Sequence, residues 1–253
     1  MNETKNTAKA REYLKALTSK PIFLTTLEEE AVRSNMPSMR NYSGATIEEP
    51  ERFVIALNHK RPQTQEASFV HEVIHQILVY SKYPMMSFDE DFVRRNLPPN
   101  HFSIMLQLQG KAISSIEHPE VYRQMIENYD LDMDQYFNDL VSQKLNRQSK
   151  TRSNLIADRI FSDQQDILEA IEYNYYSDKA KELLLPKFSK VSTTAVEIAS
   201  DLINSLEDHW FRKPEKSLKA GRIILTRIIQ HGDSNELGAI NNVWKALRLN
   251  GRD

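Results

Sequence analysis

The stretch from about Thr64 to Ser81 constrains the fold most strongly, because its apolar residues recur with the period of an α-helix. Spacings of three and four residues place side chains on one face of a helix. The residues concerned are Val70, Val73, Ile74, Ile77 and Leu78. A face this apolar must pack against other elements, so the pattern predicts a buried helix. The chain has 253 residues, enough to build a core around it.

A compact apolar run before this helix predicts a β-strand. The run Phe53–Leu57 contains aromatic and β-branched residues and is followed by Asn58 and Pro62, which are typical of turns. The other short apolar run in this part of the chain, "PIFLTTL" at 21–27, is too brief to classify. We therefore expect one clear strand directly before the buried helix.

Proline residues divide the region after the buried helix. Because Pro98 and Pro99 block the continuation of a helix, we expect residues 87–100 to form a loop with about one helical turn. A longer helix is predicted from about His101 to Glu117, with Pro119 limiting its end. Its apolar face consists of Met105, Leu108, Ala112 and Ile116.

Beyond Asp130 nearly the whole chain has the pattern of helices. Helix start signals with the spacing of a capping box recur there, for example Ser162 with Gln165. The predicted fold is therefore mainly α with a small β-sheet, followed by an α-helical array. We divide the chain into an N-terminal domain of residues 1–130 and a helical region of residues 131–253, which could pack with the first as one unit.

Two of the seven histidines, His71 and His75, lie four residues apart on the predicted buried helix, and Glu72 directly follows the first. This HExxH spacing brings both imidazoles to one helix face, where their nitrogens can bind a single zinc ion. Glu72 can then act as general base on a water that the zinc ion activates for attack on a carbonyl. Both histidines lie on the flank of the apolar face, where packing can hold a ring that still faces a cleft.

A third zinc ligand must come from elsewhere in the chain, because a catalytic zinc ion usually has three protein ligands and a water molecule. The chain has no cysteine, so this ligand is a histidine or a carboxylate. Glu117 and His118 end the next long helix, where successive residues point about 100° apart. Glu117 lies near the edge of the apolar face and His118 points away from it. We predict Glu117 as the third ligand, with His118 as the alternative.

Tyr122 follows shortly after these residues. A phenol at that position could donate a hydrogen bond to the oxyanion that forms during attack on a carbonyl. Packing is the more common role of such a tyrosine. Tyr122 is therefore a weak candidate for a catalytic residue.

Charge and composition exclude several classes of function. The net charge of −2, from 33 basic and 35 acidic residues, gives no attraction to nucleic acid or to an anionic membrane. No glycine-rich phosphate-binding motif occurs. The charged start lacks the apolar run of a signal peptide, and no later stretch is long and apolar enough to span a bilayer. We expect a cytoplasmic protein. The sequence does not indicate whether the protein is a monomer or an oligomer.

The residues around the motif resemble the gluzincin class of zinc metallopeptidases, specifically its small cytoplasmic bacterial members. The resemblance covers roughly residues 45–125 and rests on "HEVIH" at 71–75, the preceding strand "RFVIAL" and Glu117 on the next long helix. It implies a zincin-like α+β fold of an edge strand, an active-site helix and a glutamate-bearing helix, with Glu72 as base. The NExxSD pattern of the thermolysin type is absent, and "IEHPEVY" stands in its place.

The expected function is that of a zinc-dependent metallopeptidase, which hydrolyses peptide bonds of a protein or peptide substrate. An extended substrate would pair with the edge strand while its carbonyl lies over the metal. The alternative is a non-catalytic, metal-containing interaction protein whose helical C-terminal half binds a partner. The number of protein ligands distinguishes the two functions. A catalytic zinc ion keeps one coordination position open, whereas a structural zinc site is closed by four protein ligands.

Overall fold

The computed structural model describes residues 3–35, 43–96, 99–147, 156–190, 192–231 and 243–251. Over these residues the protein is mainly helical with two small sheets, which confirms the coarse fold class predicted from the sequence. The helices are α1 (Lys5–Thr18), α2 (Leu27–Arg33), α3 (Gln65–Tyr80), α4 (Glu90–Asn96), α5 (Pro99–Asn128), α6 (Met133–Arg147), α7 (Ile156–Tyr173), α8 (Asp178–Ser189), α9 (Thr193–Ser205) and α10 (Pro214–His231). The strands are β1 (Ile22–Thr26), β2 (Gly44–Glu48), β3 (Phe53–Leu57), β4 (Met85–Phe88) and β5 (Leu247–Asn250). Within the described ranges, no helix is both long and apolar enough to cross a membrane.

The chain forms two compact units, and each is built from two separate segments. The first unit consists of Met1–Ser81 with Val121–Leu140, and the second of Lys82–Glu120 with Val141–Asp253. Two continuous helices belong partly to one unit and partly to the other: α5 changes unit after Glu120, and α6 after Leu140. The units therefore divide the chain at other positions than residue 130.

Strand β3 is the central strand of the sheet in the first unit. Strand β1 pairs with it in parallel on one side, and β2 pairs with it antiparallel on the other. The strand itself was predicted correctly, but its expected position at the sheet edge is wrong. All five residues of β3 are buried, and a strand covered on both faces needs this continuous apolar run. The outer strand next to α3 is β2, which was not predicted.

Helices cover both faces of this sheet. Leu27 and Ala31 of α2 pack against Ala56 of β3 on one face, together with Ala45 and Ile47 of β2. Since side chains of a strand alternate between faces, the remaining residues of β2 point to the opposite face. That face is covered by α3, which also packs against α1. The outer strand therefore directs alternate side chains at the helix that carries the HExxH motif.

The predicted buried helix is present as α3, whose core residues include the five that defined its apolar face. Helix α5, in contrast, is longer than predicted: it continues through Pro119 to Asn128. Proline inside a helix costs about 3 kcal/mol because it removes a backbone hydrogen bond and crowds the preceding turn. Residues on both sides of Pro119, such as Ile116 and Met125, are fully buried. This packing stabilises the helix across the proline.

In the second unit, the short helix predicted within residues 87–100 is present as α4, but the stretch is not otherwise a simple loop, because β4 ends at Phe88 and α5 begins at Pro99. Strand β4 pairs antiparallel with β5 at the far end of the chain, with Met85 opposite Asn250. Helix α7 packs against α8, α9 and α10. Ser162 lies inside α7 and not at its start, so the capping signal there was misleading.

Candidate metal centre

The HExxH motif lies on α3, and its histidines lie beside the buried face of the helix. Val70, Val73 and Ile74 are fully buried, which fixes the rotation of α3 about its axis. The rings of His71 and His75 are neighbours, with centroids 4.7 Å apart and Nε2 atoms 3.1 Å apart. Two nitrogens that each lie about 2.0–2.1 Å from a tetrahedral zinc ion are about 3.3 Å apart. The separation of the pair therefore suits a shared ion.

The other ring nitrogen of His71 has its own partner in the first unit. Its Nδ1 atom lies 3.1 Å from the hydroxyl of Tyr136 on α6, and this contact is buried. A histidine that binds a metal through Nε2 commonly holds Nδ1 against such a group, which fixes the tautomer and the plane of the ring. The arrangement directs Nε2 of His71 toward His75.

A third imidazole, that of His118 on α5, belongs to the same group. One ligand atom from each of the three histidines lies within 4.8 Å of the others. His118 precedes Tyr122 by one turn on the same face of α5, and the ring of Tyr122 lies 5.9 Å from that of His71. Within the described part of the chain, Glu117 does not belong to a metal-ligating group. Of the two third ligands considered from the sequence, the structure brings His118 to the pair.

The sequence argument for Glu117 assumed that α5 has a single apolar face, whereas the helix is buried almost all round near residue 118. Ile116, Glu117, Glu120 and Val121 are all buried. These positions spread around the circumference, because successive residues turn by about 100°. Polarity along this segment therefore carries no information on which residue faces the motif.

Glu172 of α7 lies against the outer nitrogen of His118. The Nδ1 atom of His118 is 3.1 Å from Oε1 of Glu172. A carboxylate can only accept a hydrogen bond, so Nδ1 of His118 carries the proton that is shared. In a neutral ring the lone pair is then on Nε2, the atom that a metal ion would use.

The carboxylate of Glu72, between the two histidines of the motif, is anchored by β2. The Thr46 hydroxyl donates a hydrogen bond of 3.0 Å to Oε2 of Glu72. Among the described residues, Oε1 of Glu72 has no hydrogen-bond partner. Burial raises the pKa of the Glu72 carboxyl above its ordinary value, whereas the nearby His75 and the hydrogen bond from Thr46 act to lower it.

Gly44, at the start of β2, gives the Glu72 side chain its space. A Cβ atom at position 44 would lie 2.9 Å from Cγ and 3.0 Å from Oε1 of Glu72. Carbon atoms that are not bonded meet at about 3.5–4.0 Å, so any larger residue would displace the carboxylate. The two inward positions of β2, Gly44 and Thr46, together define where Glu72 lies.

Tyr122 is fully buried, and its ring packs against other aromatic rings. Besides its contact with His71, its centroid lies 5.1 Å from that of Phe137 in an edge-to-face arrangement. This position is next to the motif. Its suggested role as a donor to an oxyanion stays a prediction.

Sequence reasoning missed four residues of this site: Gly44, Thr46, Tyr136 and Glu172. Only Gly44 left a signal, because a glycine in a strand often marks a close approach of another group. Tyr136 and Glu172 are distant from the motif along the chain and reach it only through tertiary packing. Nothing in the local pattern distinguishes them from other buried polar residues of helices.

In comparisons with known proteins, the chain matches no family model, no curated protein and no solved structure. A function must therefore be argued from the chemistry of the site itself.

Proposed function

We propose that the protein is a zinc-dependent metallopeptidase, in which His71, His75 and His118 hold the ion and Glu72 is the general base. The observation that carries the proposal is the grouping of three imidazoles beside a glutamate that Thr46 of the neighbouring strand β2 anchors. The resemblance to gluzincins implies a glutamate as third ligand, so a histidine at that position departs from the class pattern. The zincin-like fold belongs to the same proposal.

The residues present fit zinc better than the other common ions. Three imidazole nitrogens suit zinc and the neighbouring transition metals, whereas magnesium and calcium prefer oxygen ligands. Among the described residues the group offers three ligands, and three protein ligands with one open tetrahedral position are typical of a catalytic and not of a structural zinc site. This count favours the peptidase over the interaction protein with a closed site.

A bound zinc ion would supply Lewis-acid chemistry, polarising a carbonyl oxygen and lowering the pKa of a water molecule. The role of Glu72 is to accept a proton at Oε1, the oxygen that Thr46 leaves free. Thr46 holds the other oxygen and thereby prevents the carboxylate from turning away. The chain's own residues thus place a proton acceptor beside the three imidazoles.

Strand β2 is the strand best placed to hold an extended peptide. Its inward residues Gly44 and Thr46 contact Glu72, and β3 occupies one of its two hydrogen-bonding edges. Among the described residues no strand pairs with the other edge. A substrate that added to this edge would run alongside the HExxH helix, as peptides do when they extend a sheet.

The substitution Glu72→Gln tests the proposal, because it keeps the shape of the side chain and removes the base. We expect the variant to bind zinc as the wild type does and to cleave at least about 100-fold more slowly, the usual scale of general-base catalysis. Cleavage is measured with fluorescein-labelled casein as substrate. It is also measured by comparing the protein termini in cells that express either the wild type or the variant.

Glu127→Gln is the matched control. Glu127 is an exposed residue of α5 that pairs with Arg123, and its loss should leave zinc content and cleavage unchanged. Cleavage of casein by Glu72→Gln at the wild-type rate would remove Glu72 from the mechanism. If the wild type binds no zinc, the proposed function is wrong as a whole.

A further inference from the structure

The contact between His118 and Glu172 is one of the most shielded polar contacts in the second unit. Their side chains are only 13% and 8% exposed, and the Nδ1–Oε1 distance is 3.1 Å. A hydrogen bond to a charged group is strongest where water is excluded, and leaving either partner unpaired there is costly. Its burial indicates that the contact fixes the orientation of the histidine ring.

Glu172 is itself held in place by its surroundings. The hydroxyl of Tyr176 donates a hydrogen bond of 2.9 Å to the same Oε1 atom. Glu172 lies in the last turn of α7, where Leu168 and Ile171 are buried in the helical core. The carboxylate is therefore preorganised, and it does not depend on His118 for its position.

We propose that Glu172 is a positioning residue of the metal centre: its carboxylate accepts the Nδ1 proton of His118 and so presents the Nε2 lone pair to the ion. This inference rests on the proposed function and deepens it. A carboxylate behind a ligating histidine fixes the tautomer and the ring plane, and it makes the free nitrogen a stronger ligand. Tyr136 holds His71 in the same manner from α6.

The inference gives the helical C-terminal region a chemical role. Helix α7 lies wholly within residues 131–253, a region expected from the sequence to shape the cleft or to bind a substrate or partner. Through Glu172, α7 determines how tightly the third ligand binds, although α7 supplies no ligand atom itself. The metal affinity of the protein then depends on the correct packing of α7 against α8, α9 and α10.

The test compares Glu172→Gln and Glu172→Leu with the wild type in the full-length chain. Zinc affinity is measured by competition with a chromophoric chelator, and ligand geometry by the visible absorption bands of the cobalt-loaded protein. We expect zinc binding about 10- to 100-fold weaker, the usual loss when such an outer partner is removed. Leucine should lose more than glutamine, which keeps an acceptor oxygen, and both should shift the cobalt bands.

Glu169→Gln serves as the matched control. Glu169 lies one turn earlier on α7, pairs with Lys111 and accepts a hydrogen bond from Tyr173. This variant removes a carboxylate of the same helix and leaves the contact between Nδ1 of His118 and Oε1 of Glu172 in place, so its zinc affinity should equal that of the wild type. An equal loss in Glu169→Gln would show a general effect of charge and would overturn the proposal.

Circular dichroism establishes whether each variant folds. Wild-type zinc affinity and wild-type cobalt bands in folded Glu172→Leu would overturn the role of Glu172 while the metal centre itself stands. If the leucine variant does not fold, the glutamine variant decides by the same criterion. Absence of zinc from the wild type would overturn the metal centre, and this proposal with it.

Discussion

At the scale of single residues, the HExxH motif could be recognised from the sequence, whereas the residues that contact it could not. His71, Glu72 and His75 are recognisable because the chemistry requires a fixed local spacing on one helix. His118 and Glu117 are adjacent, so the choice between them depends on the rotation of α5 about its axis. That rotation is set by packing on all sides of the helix, and a hydrophobic pattern records it only when one side faces solvent.

The choice of third ligand can be tested by paired substitutions. His118→Ala should weaken zinc binding by roughly 10-fold or more, because it removes a ligand nitrogen from the group of three. Glu117→Gln, which is nearly isosteric, should change the affinity much less. Chelator competition on both purified variants gives the ranking, and the reverse order would return Glu117 to the centre.

The hydrogen bond between Thr46 and Glu72 predicts a split between catalysis and metal binding. Thr46→Val keeps the shape of the side chain but removes the 3.0 Å bond to Oε2. A hydrogen bond to a charged group is worth about 1.5–3 kcal/mol, so cleavage should fall about 10- to 100-fold. Zinc content should not change, because neither residue ligates the ion.

Thr46→Ser is the matched control for that experiment. Serine keeps the hydroxyl, so it should restore most of the cleavage of labelled casein. If serine and valine lower cleavage equally, the effect comes from the packing of β2 and not from the hydrogen bond.

At the scale of elements, the prediction succeeded where a segment carries its own pattern. Strand β3 and helix α3 have runs of apolar residues that are buried in the same unit, so local periodicity identifies them. Strands β2, β4 and β5 are about as short as β3 but only partly buried, so no continuous run of buried residues marks them. Strands β4 and β5 pair with each other from distant parts of the chain, as Met85 does with Asn250, and a local pattern contains no trace of that pairing.

Two glycine substitutions in different elements should have opposite effects on stability. Gly44→Ala in β2 brings a methyl group to 2.9 Å from Cγ of Glu72 and should cost about 1–3 kcal/mol. Gly110→Ala in α5 meets no atom within 4 Å and replaces glycine in a helix, so it should stabilise by about 0.5–1 kcal/mol. Urea unfolding of both variants measures the difference, and a neutral Gly44→Ala would mean that Glu72 can move aside freely.

At the scale of the whole molecule, the boundaries of the two units along the sequence predict how a fragment will behave. A chain cut at residue 130 keeps Lys82–Glu120 but loses Val141–Asp253, the rest of the same unit. Its exposed core residues would include Ile116, which is fully buried in the complete protein and lies next to Gly221 of α10. Large exposed apolar surfaces lead to aggregation.

We therefore expect the fragment of residues 1–130 to be insoluble or aggregated, even though it contains the whole HExxH motif. Size-exclusion chromatography and circular dichroism of the fragment beside the full chain measure this. A monomeric fragment that unfolds cooperatively would show that the division at residue 130 is a true domain boundary.

The passage of the chain back and forth between the units also affects how such a protein can change during evolution. The chain changes unit three times, after Ser81, Glu120 and Leu140. A single recombination event between two genes exchanges everything on one side of one point, so a crossover between Ser81 and Leu140 would divide at least one of the units between different parents. No single crossover can therefore exchange one unit intact for the corresponding unit of another gene.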